Sequence, residues 1–160
     1  MKNSDAQLPY AKLASIWIIA LVTLLLTIGY LVTPVLFSEL PQKQAGELAG
    51  LLFNWASSIV LSSLFLLIGF YAFSKNRLKC VKSLSLSLGL LVVLRFWISP
   101  LMSEIKALYP LGLNKSSADW SLFSSLHGVY QIGYLAIILL LLYWSLKTLF
   151  GARIQPSNSE

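Results

Sequence analysis

Residues 13–38, 48–74, 83–103 and 120–146 form four long apolar runs in which Arg95 is the one fixed charge. About 20 residues suffice to cross the hydrocarbon of a bilayer as a helix, and in lipid only helices and closed barrels satisfy every backbone group internally. Four helical spans therefore account for most of the chain. Composition agrees, since 57% of the residues are hydrophobic, 11% are charged and mean hydropathy is +0.75, the profile of an integral membrane protein. Residues 83–89 alternate Ser and Leu at the period of a strand, but nothing else in the chain repeats at that period. Read as a helix, the same stretch sets Ser83 with Ser87 and Ser85 with Gly89 at i,i+4, two small faces suited to close helix packing.

The expected fold is all-α, a polytopic four-transmembrane-helix bundle. Residues 1–12 are read as a cytoplasmic N-terminal segment, 13–147 as the transmembrane domain and 148–160 as a flexible cytoplasmic tail. The first run, at 26 residues, exceeds the roughly 7–15-residue apolar core of a secretory signal and is read as a retained helix.

Charge gives the orientation. Lys2, Lys12, Lys75, Arg77, Lys79, Lys82, Lys147 and Arg153 flank one side of the spans, against Lys43, Lys106 and Lys115 on the other. The positive-inside rule places both termini and the middle loop in the cytoplasm, and the expected location is a bacterial inner membrane. The net charge of +6 is an orientation feature. The basic residues are scattered along membrane borders, so the partner they imply is the lipid bilayer and not nucleic acid. Glu39, Glu47, Glu104 and Asp119 all fall in the two outer loops, where solvated carboxylates are ordinary. Tyr10, Trp17, Tyr109, Trp120, Tyr143 and Trp144 suit interfacial belts.

Thr33-Pro34-Val35-Leu36-Phe37-Ser38-Glu39 at the end of span 1 is echoed by Ser99-Pro100-Leu101-Met102-Ser103-Glu104 at the end of span 3. Spans 1 and 3 run in the same direction, so the echo suggests two parallel helical-hairpin repeats.

The candidate site follows from the cost of polar groups in lipid. An arginine near a bilayer centre costs roughly 2.5–3.5 kcal/mol on insertion scales, and an ionisable residue there is a functional candidate by default. Arg95 lies nine residues before Glu104 and His127 seven after Trp120, about 14 and 10 Å deep at 1.5 Å per residue, both in the outer half. Ser124, His127, Gln131 and Tyr134 recur at helical spacing. Arg95 with Ser99, Asn54 with Ser58 and Ser62, and Thr23 with Thr27 and Tyr30 form stripes on the other spans. Pointed inward together, they would enclose a polar pocket open to the outside, lined by Arg95, His127, Asn54, Gln131, Tyr134, Tyr30 and Ser99.

A guanidinium offers a planar fork of donors suited to carboxylate or phosphate, so the pocket is read as taking a small anionic or carbonyl ligand. His127 is the expected neutral acceptor beside Arg95, with Asn54, Gln131 and Tyr134 orienting the ligand. The competing reading has Arg95 bonding the carbonyls freed around Pro34 or Pro100, with His127 and Gln131 tying helices together.

Other chemistries have thinner support. One histidine and one cysteine, Cys80, supply too few ligands for an ordinary metal site, and no intrachain disulfide can form. A haem cofactor would need His127 with Met102, or two chains. Phosphate loops, nucleophilic triads and zinc-protease patterns are absent, leaving enzyme activity without a signature.

Residues 33–41, followed by Ala45-Gly46 and Leu51-Leu52-Phe53, together with Phe123-Ser124-Ser125-Leu126-His127-Gly128, resemble the DUF4149 family of four-span proteins, related to the TMEM205-like group. The resemblance covers spans 1, 2 and 4 and only loosely span 3. It implies a four-helix membrane protein with Pro34, Phe37, Phe53 and His127 as marked positions, and it implies no function. Gly128-Val129-Tyr130 departs from the small hydroxyl residue expected soon after the histidine. Three functional classes follow: a protein binding an anion, lipid headgroup or metal complex, with an association to transport; an accessory subunit of a homo-oligomer or larger membrane complex; and a haem-linked redox protein.

Overall fold

The structure, a computed structural model, describes residues 7–73 and 81–151. Lys2, Lys75, Arg77, Lys79, Cys80 and Arg153, with most of the expected terminal segments, lie outside the described residues. Four helices are long and apolar enough to cross a membrane: span 1 (Tyr10–Glu39), span 2 (Gln42–Ala72), span 3 (Val81–Ala107) and span 4 (Trp120–Phe150). The described residues contain no strand, so the Ser/Leu alternation of residues 83–89 is helical. The last helix continues to Gly151, past the domain end expected at 147.

Spans 1 and 3 are each broken by a wider, π-helical turn, Thr27–Val32 and Leu94–Ile98. Each turn runs directly into the hydroxyl-proline pair of the sequence echo. The Thr33 N–H donates to the Ile28 carbonyl and the Ser99 N–H to the Leu94 carbonyl, both five residues back. The cause is common to both. Proline lacks an N–H and its ring crowds the carbonyl four residues earlier, so a widened turn before Pro34 and Pro100 relieves the clash while keeping the backbone bonded. The Thr33 hydroxyl adds a second donor to the Ile28 carbonyl at 2.7 Å.

Span 4 packs between spans 1 and 3, and span 2 closes the bundle against span 3 and the proline-bearing end of span 1. Spans 1 and 3 are both antiparallel to span 4, shown by Ser15 meeting Ser145 and Leu25 meeting Tyr134 on one side, and Ser83 meeting Leu140 on the other. They are therefore parallel to each other, as the echo requires. Ile18, Val60, Leu64, Leu84, Ile137, Leu141 and Trp144 form the fully buried interior. Trp17, Trp55, Phe65, Leu66, Trp97 and Ile132 face outward. Lipid is as apolar as leucine, so the contacts that choose between helix arrangements are close packing and interhelical hydrogen bonds.

Those contacts are concentrated on span 4. The Ser145 hydroxyl donates to the Ser15 carbonyl at 2.8 Å and the Ser83 hydroxyl to the Leu140 carbonyl at 3.3 Å. Farther along, a Cβ added at Gly29 would stand 3.0 Å from the Tyr134 ring, and one at Gly133 would stand 3.0 Å from Leu94. Adjacent residues of span 4 thus seat against the two π-helical turns.

Candidate functional site

The register of spans 3 and 4 decides which polar residues meet. Leu94 packs on Gly133, and the Lys106 ammonium lies 5.7 Å from the Phe123 ring centre. Arg95 consequently stands level with Gly133 and Tyr134, whereas His127 stands level with the stretch from Pro100 to Met102. The six-residue offset is roughly 9 Å along the axis. The depths of about 14 and 10 Å counted for Arg95 and His127 are therefore corrected. Depth had been counted from loop residues at unequal distances from the membrane, and the interhelical contacts replace that count.

Arg95 is half-buried. Its guanidinium lies 5.8 Å from the ring centre of the neighbouring Phe96, and among the described residues it makes no ion pair and no hydrogen bond. Ser99 is half-buried one turn along the same span. Facing Arg95 is Tyr130 of span 4, whose hydroxyl feels both the arginine charge and the Ser57 hydroxyl of span 2. Ser57 is buried.

Tyr130 belongs to an aromatic group that crosses the bundle. The Phe53 ring of span 2 meets Tyr130 edge-on at 6.0 Å and Tyr134 at 5.1 Å, and the two tyrosines stack at 6.2 Å. Tyr134 is buried, and its hydroxyl donates to the Leu25 carbonyl of span 1 at 2.8 Å. That bond fixes one end of the ring. Tyr30 is 56% exposed, although its hydroxyl is close enough to act on Tyr134 electrostatically.

His127 and Gln131 lie on the inward side of span 4, in helical phase with Tyr134 and Ile138, yet both are exposed. The Gln131 amide nitrogen lies 3.1 Å from His127 Nε2, and the imidazole stacks on Phe123 at 6.0 Å. The pair shares one hydrogen bond whose direction follows the imidazole tautomer. The charge that His127 feels is Lys106, not Arg95. His127 and Gln131 bond within one helix and so do not tie two helices together.

The remaining stripes do not turn inward. Thr23, Thr27, Asn54 and Ser62 are exposed, because Leu21, Val22 and Leu25 on span 1 and Ala56, Val60 and Leu64 on span 2 take the buried positions. Their hydroxyls need no neighbouring helix: Thr23 donates to the Ile19 carbonyl at 3.0 Å and Ser58 to that of Asn54 at 2.9 Å, each within its own helix. The Asn54 side chain makes no hydrogen bond among the described residues.

Four contributors escaped the sequence reading. Ser57 is a buried hydroxyl in a Ser-rich span, Tyr130 precedes Tyr134 by four residues, Lys106 had been counted among the loop charges, and Phe123 had entered only within the family-like motif. The i,i+4 spacing of Tyr130 and Tyr134 was the available clue. Among the described residues no three His, Cys, Asp or Glu side chains gather as a metal site.

The model of a family described as "Domain of unknown function (DUF4149)" matches residues 12–109, more than half of the chain. The chain belongs to the DUF4149 family. Comparison with curated proteins and with solved structures finds no match. The DUF4149 match takes in spans 1 to 3, both π-helical turns, Phe53, Arg95 and Lys106, and it ends before span 4. His127, marked by resemblance, and Tyr130, whose hydroxyl feels the Arg95 charge, lie beyond the matched DUF4149 residues.

Proposed function

We propose that this DUF4149 protein binds a small anionic group between spans 2, 3 and 4, in the proline-bearing half of the bundle. The observation that carries the reading is Arg95, a half-buried cation with no acidic partner and no carbonyl acceptor among the described residues. The Leu25 and Ile28 carbonyls of span 1 take side-chain donors of their own, Tyr134 and Thr33. A guanidinium at this depth is costly, and an anion that arrives with its own charge offsets that cost. Arg95 acts as the charge clamp, Tyr130, Ser57 and Tyr134 orient the ligand, and the exposed His127 and Gln131 stand nearer the end of the bundle where span 4 begins. By the charge bias of the flanks that end faces away from the cytoplasm, so the ligand arrives from outside.

The test is a calorimetric titration of the purified protein with inorganic phosphate and with acetate, comparing wild type, Arg95→Gln and Arg95→Lys. Binding by wild type that falls at least tenfold in Arg95→Gln, with the unfolding temperature held, supports the clamp. Loss of folded protein in Arg95→Gln with rescue by Arg95→Lys, and no anion binding by wild type, assigns Arg95 to packing instead.

A second reading rests on Asn54. Its amide is exposed and unbonded twelve residues into span 2, where lipid offers no hydrogen bond. An amide there suits a helix of another subunit, whether a second copy or a partner in a larger complex. Light scattering of the detergent-solubilised protein, with wild type larger than Asn54→Leu, would support it; equal masses would remove it.

A further inference from the structure

Span 2 turns a row of small residues away from the bundle. Gly50, Asn54, Ser58 and Ser62 follow one another at i,i+4. Gly50, Asn54 and Ser62 are exposed and Ser58 is half-buried, with the exposed Leu51 and Trp55 beside them. A Cβ added at Gly50 would meet nothing within 4 Å, so no contact inside the chain calls for a glycine there. The Ser58 hydroxyl folds back onto the Asn54 carbonyl of its own helix at 2.9 Å, which keeps the row low. The Asn54 amide stands within this row and has no hydrogen bond among the described residues. It lies seven residues, about 10 Å, along the helix from Glu47, inside the apolar run where lipid supplies neither donor nor acceptor.

We infer that this row is the contact with a second copy of the chain, span 2 against span 2 about a twofold axis along the membrane normal. Copies inserted in one orientation are related by such an axis, which sets the two spans parallel and brings Asn54 to Asn54 at one level. The amide is self-complementary, because it carries two donors and an acceptor, and two of them meeting at the axis bond each other reciprocally. Rows at i,i+4 are the ones that interlock in a right-handed crossing of about −40°, and small side chains let the two backbones approach closely enough for the amides to meet.

The dimer rests on the reading of Asn54 as a contact with another subunit, and it names that subunit and its face. Residues 48–73 carry no charge, so nothing on this face asks for an oppositely charged partner, and an identical amide is sufficient. It does not depend on Arg95.

Two measurements on the full chain test it. Analytical ultracentrifugation in density-matched detergent gives the dimer dissociation constant. Asn54→Leu and Gly50→Leu should each raise it about threefold or more, whereas Asn54→Gln, which keeps the amide, should stay closer to wild type than Asn54→Leu. Both positions face outward, so the unfolding midpoint of the variants should hold. In liposomes, with the single cysteine replaced as Cys80→Ser, mild oxidation should cross-link Gly50→Cys and Ser58→Cys into dimers. Ile132→Cys, exposed on span 4, should stay uncross-linked. Association that Asn54→Leu weakens but that shows no cross-link at either span 2 position, or that Gly50→Leu leaves unmoved, overturns the twofold contact and leaves the Asn54 reading standing. A chain that is monomeric at every concentration removes both.

Discussion

Tyr134 of span 4 fills the space that a side chain on Gly29 of span 1 would need, its Cε1 atom standing 3.0 Å from the position of that missing Cβ. The tyrosine cannot retreat freely, because its hydroxyl is held 2.8 Å from the Leu25 carbonyl on the same span. One side chain thus touches both ends of a helical turn and locks span 4 to the start of the first π-helical segment.

Gly29→Ala should therefore destabilise the bundle by about 1–3 kcal/mol, the usual cost of overpacking against a neighbour that cannot yield. Thermal unfolding in detergent, followed by circular dichroism, reads the effect. An unchanged midpoint would mean that the helices separate without penalty.

Tyr134→Phe removes the hydroxyl donor but leaves the ring. The expected loss is about 0.5–1.5 kcal/mol. The freed ring can move, so Gly29→Ala should cost less in the Tyr134→Phe background than alone. Strictly additive effects in this double-mutant cycle would contradict the coupling.

Gly133→Ala brings a methyl group to 3.0 Å of the Leu94 side chain. Leu94 is buried at the start of the second π-helical turn, but its branched end has rotamer freedom that the pinned tyrosine lacks. A smaller loss than for Gly29→Ala is expected, largely cancelled by Leu94→Ala in the same chain. The four unfolding midpoints of that cycle test it.

Ser145→Ala should cost no more than about 1 kcal/mol, because the Ser15 carbonyl that loses this donor stays in a helix and keeps its backbone partner. Ser145→Leu should cost more, since Ser145 is fully buried and the larger side chain must displace neighbours. A leucine variant as stable as the alanine one would show unfilled space at that end of the bundle.

The spans, their number and the positions of both prolines were readable because each is set by local chemistry. An apolar run of sufficient length must satisfy its backbone internally, and a proline perturbs only the turn before it. The sequence echo around Pro34 and Pro100 was legible for the same reason, and the paired π-helical turns gave it a structural counterpart. The candidate site was legible in part. The sequence set Gln131 and Tyr134 on one stripe with His127, since residues three or four apart on one helix share a side; the structure puts the Gln131 amide 3.1 Å from His127 and buries Tyr134 against span 1. Asn54, Thr23 and Thr27 obeyed the same spacing but lie outside the core, because the spacing gives a stripe without saying which way it points.

What the amino-acid sequence determined by itself was a four-span helical membrane protein with an expensive cation in its third span. Only the tertiary structure decided that Arg95 stands opposite Tyr130 and that His127 pairs with Gln131 beside Lys106. The physical reason is that insertion depends on the apolar length of each helix alone. Rotation and register depend on contacts between helices, here Leu94 on Gly133, Tyr134 on Gly29 and Lys106 on Phe123. No single helix contains that information.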